Sequence, residues 1–165
     1  MNKFALVIIS IVAVMAVLIA LPNIMQQPAT DDLGITYSKQ RMTKIGDEFV
    51  ATKVELLNIS NDGAATYSET DPRLKVLPIN ERFQVDSDDH DRLKGLILET
   101  GFIQIPRTDY LQVAEGVDGY TRYTLTVSTG DTQKTFNWVD AYDGTVPYLI
   151  ETAGIELDGI IEPKT

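Results

Sequence analysis

The sequence predicts an α+β protein: an N-terminal transmembrane helix followed by one domain of mostly antiparallel strands, with two helices on one face. Three features carry this expectation. An apolar run opens the chain. Several later segments alternate apolar and polar residues, separated by Gly- and Asp-rich turns. Two windows carry helix-start signals ahead of an apolar stripe.

From Phe4 to Leu21 a single polar side chain, Ser10, interrupts the apolar run. At about 1.5 Å per residue, a helix of this length matches a hydrocarbon core of about 30 Å. The run is longer than a secretory h-region of about 7–15 residues, and no A-x-A-like site follows it closely, so a retained anchor is favoured over a cleaved signal. Lys3 precedes the run, whereas Asp31 and Asp32 are the first charges after it. The positive-inside rule then leaves the N-terminus in the cytoplasm and places the rest outside the cell membrane. The chain divides accordingly into an anchor over residues 1–25, a short polar stalk over 26–33, and an extracytoplasmic α+β domain over 34–165, crossing the membrane once.

Within the domain, Gly34 to Ser38 alternates as a first strand, and Lys39 to Asp47 reads as a basic, irregular loop. Phe49 to Ile59 is the next strand, with Val50, Thr52, Val54 and Leu56 on one face and Lys53 and Glu55 on the other. Ser60-Asn61-Asp62-Gly63 is a turn signal, and Ala64 to Ser68 returns as its hairpin partner. After a connection bracketed by Asp71-Pro72 and Pro78, Glu81 to Val85 forms a short strand.

A helix starts at Ser87-Asp88-Asp89, with Ser87 as cap and the aspartates facing the positive end of the dipole. Leu93, Leu96, Ile97 and Leu98 supply its stripe, and Gly101 ends it in a left-handed cap. Arg107 to Gly119 is a long connection. Tyr123, Leu125 and Val127 share one face of a hairpin strand, with Arg122, Thr124, Thr126 and Ser128 on the other, and the chain turns at Gly130-Asp131 and returns through Thr135 to Val139. Thr145 and Pro147 mark a second helix start, and the tail after Gly154 has no clear packing pattern.

The chain contains no cysteine and has a formal net charge of −10. Disulfides, thiolate metal sites and cysteine nucleophiles are thereby excluded. The acidic balance argues against nucleic acid and suits either solubility or a basic partner.

No enzyme constellation emerges. In Asp86-Ser87-Asp88-Asp89-His90-Asp91 the sixth and twelfth positions, Asp91 and Ile97, lack the Gly and Glu of a calcium loop, so the cluster reads as a charged helix start. His90 is the single histidine, which leaves no common zinc set, and it reads as an exposed helix residue. Asp140 and Asp143, beside Trp138 and Tyr142, fit acid–base or sugar-binding carboxylates but more simply turn and cap residues. Asn58-Ile59-Ser60 is an N-x-S sequon, which makes Asn58 a glycosylation candidate. No cofactor or metal site is expected.

Four short segments together carry a family resemblance: Ile35-Thr36-Tyr37-Ser38, Gly101-Phe102, Tyr123-Thr124-Leu125-Thr126-Val127, and Trp138-Val139-Asp140-Ala141 followed by Val146-Pro147. Their order resembles the emfourin-like proteins, inhibitors of thermolysin-type zinc metallopeptidases. The chain departs from that family in lacking a glycine-rich stretch after the first strand and in carrying extra sequence around Asp71 to Pro78. The resemblance implies a membrane-anchored, inhibitor-like binding module with a protein partner. The alternative is an accessory subunit of a larger envelope complex. The loops best suited to docking are Lys39 to Asp47 and Arg107 to Gly119, the second with Arg107, Tyr110 and Leu111 as partner-binding residues.

Overall fold

The first strand of the domain occupies the centre of its sheet. In this computed structural model, which describes residues 33–74 and 77–162, β1 (Leu33–Ile45) is flanked by β2 (Glu48–Ile59) on one side and β6 (Gly119–Thr129) on the other. β3 (Ala64–Thr70) and β4 (Ile79–Gln84) extend the sheet beyond β2. β7 (Thr132–Val139) and the two-residue β5 (Asp109–Tyr110) extend it beyond β6. The seven strands run in the order β4-β3-β2-β1-β6-β7-β5, and every pairing is antiparallel except β5 with β7. Helices α1 (Ser87–Glu99) and α2 (Tyr148–Ile161) complete an α+β fold. The expected anchor over 1–25, and all of the expected stalk except Leu33, which opens β1, lie outside the described residues. Among the described residues no helix is long and apolar enough to cross a membrane.

One face of the sheet is the core. Ile35 and Tyr37 of β1 pair with Leu57 and Ile59 of β2 and with Leu125 and Val127 of β6, and all six are buried. Leu93 and Ile97 of α1, and Ile150, Ala153 and Leu157 of α2, belong to the same cluster. Burying a Leu, Ile or Phe side chain stabilises by about 1.5–3 kcal/mol, so this one-sided layer supplies the main favourable term. The opposite face alternates with it and carries polar pairs, with Thr36 donating to Asn58 at 2.9 Å and Thr124 to Asn137 at 3.0 Å, beside a Phe49–Tyr120 ring contact at 4.9 Å.

Several local expectations are corrected. The basic stretch after Ser38 is not a loop: β1 continues through Lys39 to Ile45, pairs with Glu48–Glu55 of β2, and turns at Gly46, whose φ is +67°. After its bulge, the face of β2 is inverted relative to the expectation, whereas Val50 before it stays on the core side. Glu55, Leu57 and Ile59 point to the core, whereas Val54 and Leu56 do not. The cause is a bulge opposite Arg41 and Met42, where Arg41 pairs with Lys53 and Met42 with Ala51; one extra residue shifts the alternation along the strand.

The cap of α1 is Asp86, not Ser87, and its carboxylate accepts from Asp88 N at 3.0 Å. His90 is half-buried rather than exposed, with its ring against Gly63. Leu98 is exposed, so the stripe of α1 is narrower than the sequence suggests. The segment after Gly154 continues α2 to Ile161, burying Leu157, Ile160 and Ile161. The connection from Arg107 to Gly119 holds β5 and a bridge between Val113 and Tyr142.

A buried acid sits where the covered face meets its edge. Glu55 is 6 % exposed; Lys53 Nζ reaches it at 3.1 Å and Glu69 at 3.0 Å. The Tyr67 hydroxyl lies 3.0 Å from Glu55 and 2.9 Å from Glu69, sharing its one hydrogen between them. Burial, and then these two carboxylates, pushes the Tyr67 hydroxyl well above the ordinary tyrosine range.

Candidate functional site

The β6–β7 hairpin places Tyr123 opposite Trp138, on the same face as Tyr37 of β1. The three rings stack: Tyr123 lies 5.0 Å from Trp138 at 12° between planes, and Tyr37 lies 6.2 Å from Tyr123. Helix α2 starts after Pro147 and seats against the indole through Gly154. Between this helix and the end of β7 lies a cleft of about 310 Å³. Its walls hold three aromatic rings (Tyr123, Trp138, Tyr142) and three carboxylates (Asp140, Glu151, Asp158), and no basic side chain among the described residues lines it.

The carboxylates differ in how far they are already satisfied. Asp158 accepts from the Tyr37 hydroxyl at 3.0 Å and pairs with Lys39 Nζ at 3.1 Å. Asp140 accepts from Thr121 N at 2.8 Å, which holds it at the rim. The Glu151 carboxylate is exposed and makes no hydrogen bond or ion pair among the described residues. The Tyr123 hydroxyl is pushed up to about 12 by burial, with the Asp158 and Asp140 carboxylates adding to it. The same negative field favours a cation brought into the cleft. Aromatic faces beside carboxylates are the chemistry that receives an ammonium or guanidinium group.

Arg107 stands behind this cleft. Its Nη2 donates to the Tyr142 hydroxyl at 2.7 Å, and its guanidinium lies 4.7 Å from the Tyr110 ring centre. Of the three residues that the sequence suggests for partner binding, Arg107 is exposed but held against two tyrosines. Tyr110 is 3 % exposed and belongs to the core. Leu111 is exposed. Of the acidic pair near Trp138, Asp140 lines the cleft and Asp143 does not. Sequence reasoning missed Tyr123, Glu151 and Asp158. The available signal was Glu151, Ile155 and Asp158 at helical spacing, which becomes visible only once α2 is extended past Gly154.

Asn58 lies on the polar face in mid-sheet. Its Oδ1 accepts from Thr36, and its Nδ2 lies 3.5 Å from Thr66 Oγ1. It also borders a shallow groove of about 290 Å³ with Leu56, Ser68, Asn80 and Arg82. Asp86 is engaged as a helix cap. Among the described residues no group of three or more His, Asp or Glu is placed to hold a metal ion. No family model matches the chain, and no curated protein matches its sequence.

Proposed function

We propose that this chain is a membrane-tethered, extracytoplasmic binding module that takes a cationic side chain of a protein partner into the aromatic–carboxylate cleft. The carrying observation is the composition of that cleft: three rings and three carboxylates, with no basic residue among the described residues that line it. The apolar run from Phe4 to Leu21 supports the tether, and tethering raises the effective concentration of a modest binder near other membrane proteins. A thermolysin-type metallopeptidase is the partner class that the sequence resemblance suggests. Its four segments fall mainly on framework positions, with Tyr37, Phe102, Leu125, Trp138 and Val146 all buried, so the exposed surface adds nothing to that particular choice.

The test is capture of partners by the tagged full-length chain in mild detergent, beside a peptidase assay. Captured partners should present a basic surface, leave as salt is raised, and bind Glu151→Gln about tenfold more weakly, as loss of a close charge pair predicts. Capture that is indifferent to salt and to Glu151→Gln would overturn the cleft as the site.

A further inference from the structure

The helices cover only part of the core-side face. Beyond the Lys39–Tyr123 pair the β1–β2 hairpin runs on, and by strand alternation Arg41, Thr43 and Ile45 share the face of Ile35 and Tyr37. Val50 of β2 pairs with Thr43 on that side. Ile45 is 54 % exposed, and the Arg41 side chain makes no ion pair among the described residues. This uncovered strip adjoins the cleft: Arg41 pairs in register with Thr121, whose N–H is held by Asp140. On the other side of the cleft, α2 exposes Tyr148 (77 %) and Ile155 (71 %), seven residues apart on one helical stripe around Glu151.

A cation without an ion pair among the described residues, with Ile45 farther along the same strand face, therefore lies beside a cleft whose one unengaged carboxylate, Glu151, has its own exposed apolar neighbours. Two such adjacent, opposite patches are what a two-fold interface needs, because each copy offers both halves of the same contact. We infer that the cleft's cation is supplied by a second copy of this chain: two copies pair about a two-fold axis, with Arg41 and Ile45 of each hairpin seated against Glu151 and Ile155 of the other copy's cleft. This inference rests on the reading of the cleft as a cation site. Like charges within the assembly are avoided, since each guanidinium meets the carboxylate wall rather than another Arg41. The tether assists, because two anchored copies meet at high local concentration.

Charge exchange tests it on the full chain in detergent, with mass followed by light scattering and the fold by circular dichroism. The native chain should be a dimer. Arg41→Glu and Glu151→Arg should each weaken it at least about tenfold, and the two together should restore it, because the pair is re-formed with reversed sign. In a chain without cysteine, Ile45→Cys with Ile155→Cys should give an interchain disulfide under mild oxidation, a clean readout. A monomer at every concentration overturns the inference, as does a dimer that ignores both charge reversals. If a basic partner is still captured and lost on Glu151→Arg while the chain stays monomeric, self-association falls and the cleft reading stands.

Discussion

Gly154 of α2 lies so close to Trp138 that a Cβ built on it would come within 2.9 Å of the indole Cζ2. The helix can therefore rest on the stacked rings only with hydrogen at this position. Gly154→Ala would improve helix propensity by about 1 kcal/mol, but overpacking costs about 1–3 kcal/mol. We expect net destabilisation of about 1 kcal/mol, read from urea melts. A variant more stable than the native chain would show that the helix can shift away from Trp138 without loss.

The start of α1 discriminates between two neighbouring caps. Asp86→Ala should cost about 1 kcal/mol, since its carboxylate accepts the Asp88 N–H. Ser87→Ala should lie within about 0.5 kcal/mol of the native chain. The reverse ranking in thermal melts would return the cap to Ser87.

Lys53 is the cation between two acids, one of them buried. Lys53→Met would leave Glu55 buried without its cation; removing one partner of a buried pair costs about 3–5 kcal/mol. Because the Lys53 side chain is 27 % exposed, we expect a smaller loss, about 2 kcal/mol, in denaturant melts. Glu55→Gln with Lys53→Met should recover part of it, because the stranded charge is gone.

Alkaline pH acts on the ring stack. The Tyr123 hydroxyl is raised from 10.0 to about 12. A folded-state value above the unfolded one means the native state holds the proton more tightly. The resulting stability is fully present below pH 10.0 and is lost as pH rises towards about 12. Thermal melts across that window should fall more steeply for the native chain than for Tyr123→Phe. Parallel slopes would remove Tyr123 from the account.

The hairpins were legible because their turns carry Gly63 and Gly130, both at positive φ, and because Leu125, Val127 and Phe136 alternate cleanly. The ends of both helices were legible where Gly101 and Pro147 stand. Three features were hidden for physical reasons. The length of β1 was masked by charged residues that remain strand because both neighbours supply hydrogen bonds. The face of β2 was inverted because a bulge is set by pairing with β1, which local periodicity does not contain. Gly154 suggested a break where the tertiary contact with Trp138 calls for it inside the helix. The cleft was half visible: Trp138, Asp140 and Tyr142 stood out together, but Glu151 and Asp158 join them only through that misjudged helix.

The central place of β1 has a consequence for how the chain matures. β2 reaches β1 through one tight turn, so β1 to β4 can assemble as a meander of neighbours. The other edge of β1 waits for β6, which is separated from it by the whole of α1 and the connection that follows. Until that late segment arrives, the Ile35 and Tyr37 strand has an open edge and a bare apolar side. Such a long closure slows folding and leaves a template for wrong pairing. An emerging chain is thus most vulnerable to aggregation after its first half has folded; β6 then closes the edge, and α2, whose Asp158 accepts from the Tyr37 hydroxyl, covers the apolar side.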